Sequence, residues 1–89
     1  MNQVLKVTDI FQVTGRGCVI VGIIKEGVFH KGDPVNVMRD NDVVKLTTIS
    51  AIEMINYGSV NTERRDTIGL ILNDIQKNDV MAGDTIING

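Results

Sequence analysis

Aromatic side chains are nearly missing from this 89-residue chain, which has no tryptophan, one tyrosine and two phenylalanines. Its core must therefore be built from valine, isoleucine, leucine and methionine, and the tryptophan that often anchors binding hot spots is absent. The single cysteine, Cys18, rules out an intramolecular disulfide and gives no sign of an oxidising compartment. One cysteine and one histidine cannot complete a structural zinc shell. Neither sign of charge dominates: 9 basic residues against 11 acidic ones give a net charge of −2. That balance offers no broad attraction to phosphate backbones or anionic membranes. No apolar run approaches the ~20 residues of a membrane-spanning helix. The opening Met1-Asn2-Gln3-Val4-Leu5-Lys6 lacks the charged start and apolar stretch of a signal peptide. A cytoplasmic protein without membrane contact is expected.

What the chain does contain is β-forming sequence. A hydrophobic content of 43% is that of a globular domain, and the length suits one domain spanning residues 1–89. Clusters of glycine, asparagine and aspartate recur at short intervals, among them Gly15–Gly17, Gly32-Asp33-Pro34, Asp40-Asn41-Asp42 and Gly83-Asp84. Between them lie runs rich in β-branched residues, whose stiff side chains suit a pleated strand. The spacing predicts strands at Leu5–Val13, Cys18–Lys25, Val35–Arg39, Val43–Met54, Thr67–Leu72 and Thr85–Ile87. In the first, Leu5, Val7, Phe11 and Val13 alternate onto one face, with Asp9 interrupting it. The second is apolar on both faces, so it is either covered on both sides or leaves one apolar face for a partner. The fourth changes its apolar phase midway, which predicts a bulge or bend. Ile75–Val80 could form one helical turn capped by Asn73 or Asp74.

The order of the motifs carries a resemblance. Asp9-Ile10-Phe11 leading into Gly15-Arg16-Gly17 is followed by Val21-Gly22, Lys25-Glu26-Gly27, Lys31-Gly32-Asp33-Pro34-Val35, Ile52-Glu53-Met54, Asp66 to Leu72, and Val80 to Ile86. This series resembles the second domain of elongation factor Tu over nearly the whole chain. The resemblance implies an all-β fold, a small closed antiparallel barrel of Greek-key type with about six strands. It also implies a barrel face that in the family holds the 3′ end of aminoacyl-tRNA, where Glu53 and Asp9 match the family's pocket. Thr8, Ile55-Asn56 and Thr67 depart from that pocket and remove an aromatic and a cation from it.

No chemistry of its own is legible. A phosphate-binding loop needs Lys and Ser/Thr after its second glycine, but Val28-Phe29 follow Gly27 and Asp33-Pro34 follow Gly32. GTP binding by this chain alone is therefore not expected, nor is a cofactor or a metal. Asp40-Asn41-Asp42 opens like a calcium loop, yet Val43-Val44 continue as strand, so a solvated hairpin turn is the expectation. His30 reads as an exposed turn residue and Cys18 as a small buried hydrophobe. The candidate contact residues are Asp9, Arg16, Glu53 and the adjacent pair Arg64-Arg65. Their simpler readings are polar rim positions and a solvated loop. The expected function is a non-catalytic binding module that contacts a protein partner or itself. By resemblance alone, the tRNA acceptor end or the ribosome is the alternative partner.

Overall fold

The computed structural model of the chain describes residues 2–54 and 67–89. Among the described residues there are six strands: β1 (Val4–Val13), β2 (Gly17–Glu26), β3 (Pro34–Arg39), β4 (Asp42–Met54), β5 (Thr67–Leu72) and β6 (Thr85–Asn88). They close into a barrel in the order β1-β2-β5-β4-β3-β6, with every neighbouring pair antiparallel. Strands β3, β4 and β5 follow one another in sheet order, and β2 lies beside β5, which is a Greek-key arrangement. Closure removes the exposed edges that an open sheet would present for unwanted pairing.

The barrel is filled by aliphatic side chains, as the scarcity of aromatics requires. Leu5, Val7, Ile20, Val35, Val37, Ile49, Ile68, Leu70, Leu72, Val80 and Ile86 pack with Phe29 into one cluster. Leu5, Ile20, Val37, Leu70 and Ile86 are fully buried and come from β1, β2, β3, β5 and β6. Side chains therefore occupy the middle, as in other small barrels.

The phase change expected in β4 lies between Ile49 and Ala51, where the pairing with β5 shifts register. A second shift falls in β1, and it overturns the single-face reading of that strand. Val7 pairs with Gly22 but Asp9 pairs with Val21, so Thr8 is an extra residue in the ladder. Its hydroxyl donates to the Val21 carbonyl at 3.2 Å. An inserted residue exchanges the two faces of all that follows. Leu5 and Val7 point into the core, Ile10 packs against the core after the bulge, and Phe11 and Val13 emerge on the outside at 54% and 38% exposure.

Strand β2 settles the other open choice, because Cys18, Val19, Ile20, Val21 and Gly22 are all buried. It is covered on both sides and offers no free apolar face. The helical turn expected over Ile75–Val80 is absent, and that segment forms turns instead. The Asn73 amide donates to Thr48 Oγ1 at 2.6 Å instead of capping a helix, and Asp74 adopts a positive φ of 54°. Asp79 accepts from the Gln76 N–H at 2.8 Å while its own N–H donates to the Gln76 carbonyl at 2.9 Å, closing a turn in place of a helix.

Gly27 ends β2 at a φ of 75°, and a side chain there would place its Cβ 2.2 Å from the Asn2 carbonyl oxygen. Gly15 has a similar φ of 81° with open space around it. Alanine at Gly15 is expected to cost about 1–2 kcal/mol of conformational strain. Gly27→Ala adds displacement of the N-terminal segment and is expected to cost about 2–3 kcal/mol. Urea denaturation of the two variants measures the difference.

Candidate functional site

Register places two of the sequence candidates on one lateral row. Asp9 of β1 pairs with Val21 of β2, Val21 with Gly69 of β5, and Gly69 with Glu53 of β4. Residues paired directly across a sheet share a face. The neighbouring row, Ile10-Ile20-Leu70-Ile52, packs in the core, so the Asp9–Glu53 row faces outward. Three strand spacings separate the two positions, about 14 Å across the sheet. Gly69 has no side chain and Val21 is buried, so only the two acidic ends of this row reach the surface. The next outward row brings Phe11 beside Val19, and the bulge at Thr8 is what places Phe11 there.

Arg16 joins this face from the tip of the β1–β2 hairpin. The hairpin closes through Arg16 N–H donating to the Val13 carbonyl at 2.9 Å. The Arg16 guanidinium forms an ion pair with the Glu53 carboxylate. Because β5 lies between β2 and β4, this pair reaches across an intervening strand. Three of the five candidates, Asp9, Arg16 and Glu53, thus gather on the outer side of β1-β2-β5-β4. Arg64, Arg65 and the Ile55-Asn56 pair lie outside the described residues. Thr67, which takes the place of an asparagine in the family pattern, is 3% exposed, and among the described residues its hydroxyl has no hydrogen-bond partner.

The remaining sequence candidates have structural surroundings. Asp40 and Asn41 form the two-residue loop between β3 and β4, with Asp40 at a φ of 58°, and the loop is exposed. The His30 side chain is 71% exposed and lies 3.6 Å from Asp33. Cys18 is a buried free thiol that accepts from the Gln12 amide at 2.9 Å. Among the described residues, no group of three or more His, Cys, Asp or Glu is placed to hold a metal ion.

Sequence reasoning missed the most constrained charge among the described residues, Asp84. It is 3% exposed and accepts two bonds from Arg39, Nε to Oδ1 at 3.0 Å and Nη2 to Oδ2 at 2.9 Å. The Met81 N–H adds a third at 2.8 Å. A cleft of about 220 Å³ lies beside this pair, lined by Arg39, Asp40 and Met81–Asp84. Burial alone would raise the Asp84 pKa. The Arg39 bonds, the Met81 N–H and the charges of Arg39 and Lys6 outweigh burial and hold it below the ordinary carboxylate range. The Asp33 carboxyl is lowered as well, first by the Gln3 amide at 2.7 Å and then by the His30 N–H at 2.8 Å.

Both carboxyls hold their protons less tightly in the folded chain than in the unfolded one. Their contribution is present above the unfolded pKa and is lost as pH falls through the folded values. The urea midpoint is expected to stay level from about pH 7 to 5 and to fall below about pH 4. Asp33→Asn is expected to lower the neutral-pH plateau slightly and leave the acid end unchanged, which flattens the fall. Denaturation curves across pH measure both effects.

A closed Greek-key barrel with one polar-ended outer face is the architecture of a translation-factor β-barrel domain. Residues 17–87 match the family model described as elongation factor Tu domain 2, and the chain belongs to that family. Domain 2 of elongation factor Tu is a non-catalytic domain. The chain is 38% identical over 82 residues to the apicoplast elongation factor Tu of Theileria parva, covering 92% of the chain and 20% of that protein. It is 30% identical over 80 residues to the apicoplast elongation factor Tu of Plasmodium falciparum (isolate 3D7), covering 89% of the chain and 20% of that protein. The chain thus spans about a fifth of the length of these curated relatives. Among the described residues, no helix is long and apolar enough to cross a membrane.

Proposed function

We propose that residues 1–89 act as one non-catalytic binding module, and that the outer face of β1-β2-β5-β4 contacts a protein partner. The observation that carries this reading is the placement of exposed Phe11 next to the Asp9–Val21–Gly69–Glu53 row. An exposed aromatic beside two carboxylate positions fits a protein surface with a small apolar patch flanked by basic groups. Asp9, Arg16 and Glu53 are the contact residues in this reading, and Arg64 and Arg65 are further candidates from sequence alone. Neither an enzymatic activity nor a bound nucleotide is part of it. A cytoplasmic location belongs to the same reading and rests on the single free Cys18.

Size-exclusion chromatography with light scattering tests self-association, and affinity capture tests a heterologous partner. The expected result is a defined complex with the native chain that is lost in the Asp9→Lys/Glu53→Lys double variant. A strictly monomeric chain that captures nothing, or the same captures from both baits, overturns it.

A second reading is favoured by the family frame around Glu53 and Asp9, namely binding of a tRNA acceptor end or the ribosome. The net charge of −2 and the three aromatic residues weigh against it. Filter binding of charged and uncharged tRNA at several salt concentrations decides. RNA binding of this kind must weaken steeply with salt, and no measurable salt-sensitive binding removes it.

A further inference from the structure

We infer that the cleft beside the Arg39–Asp84 pair is a binding site for a carboxylate carried on a short aliphatic stem. None of its lining residues belongs to the Asp9–Glu53 row, so the inference does not rest on the contact face. A planar guanidinium presents donors along a side edge and an end edge. Asp84 takes the side edge of Arg39, through Nε and Nη2. The end edge keeps the Nη1 donors and the second Nη2 N–H, which bond to no acceptor among the described residues. No nitrogen of Arg39 is buried without a partner, so this edge meets solvent, and Arg39 lines the cleft. Two parallel N–H groups on a fixed plane match a carboxylate in bidentate fashion. The plane is fixed because Asp84 is 3% exposed and is itself held by the Met81 N–H. The donor edge is therefore set before a ligand arrives.

The rest of the cleft narrows the ligand. Its volume of about 220 Å³ suits a group of a few heavy atoms rather than a nucleotide. Met81, 52% exposed, supplies an adaptable apolar wall for a short stem. Arg39 and Lys6, whose Nζ rests on the Gly83 carbonyl, balance the charges of Asp84 and Asp40. Recognition thus comes from the fork of donors and not from a surplus of positive charge. Asp40, next to Arg39 on the exposed β3–β4 loop, opposes added negative charge. A monoanion is tolerated there, whereas a doubly charged phosphate is disfavoured.

Titration followed by nuclear magnetic resonance tests the site, with the Arg39 Nε–H and the Ala82 and Gly83 amides as reporters. Acetate, butyrate, inorganic phosphate and a short peptide with a free carboxylate after a terminal leucine are the probes, and sodium chloride at equal ionic strength is the control. Butyrate is expected to give saturating shifts and to bind about three- to ten-fold more tightly than acetate. Phosphate is expected not to saturate. Saturation by butyrate or by the peptide supports the site, and the tighter of the two tells a free acid from a chain end. Arg39→Lys keeps a cation for Asp84 but loses the fork, and is expected to weaken butyrate about ten-fold. Asp40→Asn is expected to tighten butyrate about two- to five-fold and to let phosphate bind. Asparagine tolerates the positive φ at this exposed position, so the second variant decides even where Arg39→Lys unfolds. Shifts that stay linear and match sodium chloride overturn the site. Phosphate binding to the native chain as tightly as butyrate also overturns it, as does an Asp40→Asn chain that binds butyrate no more tightly.

Discussion

Asp84→Ala is expected to cost about 2–4 kcal/mol of folding stability and to lower the thermal midpoint by 10 °C or more. The reason lies in how the barrel closes. The seam between β1 and β6 has only three ladder pairs, Val4 with Ile87, Leu5 with Ile86 and Lys6 with Thr85. Beyond Thr85 the seam continues through the loop, where Val7 N–H donates to the Asp84 carbonyl and Gly83 N–H to the Val7 carbonyl, both at 2.9 Å. Lys6 Nζ donates to the Gly83 carbonyl at 2.6 Å. The Asp84 carboxylate holds this loop in shape through Met81 N–H and ties it to β3 through Arg39. Removing it leaves the part-buried Met81 N–H without its acceptor and a guanidinium without its partner. The Arg39 side chain is 36% exposed and can regain water, which keeps the loss below that of a fully buried pair. Asp84→Asn keeps the shape and one acceptor and is expected to lose less than alanine does. Calorimetry of both variants measures the effect, and a change below about 0.5 kcal/mol for alanine would contradict this account of the seam.

Gly22→Val is expected to cost about 3 kcal/mol or more, enough to leave much of the chain unfolded near physiological temperature. Gly22 lies in the β1–β2 ladder opposite Val7. A Cβ there would sit 2.3 Å from Leu5 Cδ2 and 2.6 Å from the Lys6 carbonyl oxygen. Leu5 is fully buried and has no free volume to move into. The Lys6 carbonyl is backbone, so the strand itself would have to shift. Trimming Leu5 in a Gly22→Ala/Leu5→Ala double variant removes one obstacle and leaves the other. Partial recovery relative to the sum of the single changes is therefore expected. Urea unfolding of the four proteins in that cycle measures it.

The strands were legible because local signals agreed. β-branched runs bounded by glycine and Asn/Asp clusters located all six within a residue or two of their observed limits. The drift of apolar phase in β4 located its irregularity. The β1 bulge left a weaker mark: Asp9 looks like a polar interruption of one face, whereas Thr8 exchanges the faces and sends Phe11 outward. Asn73 and Asp74 carry cap-like side chains, but the same chemistry serves turns, and tertiary contact with Thr48 decided between them. The candidate face was legible in part. Asp9 and Glu53 stood out through their place in a family-like motif order, but only the strand order puts them on one row. The Arg16–Glu53 pair depends on β5 lying between β2 and β4, which no local pattern states. Asp84 and Arg39 are 45 residues apart, and nothing local to either residue pairs them.

The central claim is that one face of this barrel, the outer side of β1-β2-β5-β4, meets its partner. Site-specific photo-crosslinking tests it most directly, with the reactive amino acid placed at Phe11 and, in a separate protein, at Leu46. Both positions are exposed, at 54% and 69%. Leu46 lies toward the opposite end of β4 from Glu53, where it pairs with Asn36 of β3, and Asn36 with Ile87 of β6, away from the Asp9–Glu53 row. The expected result is a discrete crosslinked product from position 11 and none from position 46. Crosslinking from position 46 alone, or from neither position, would contradict the claim.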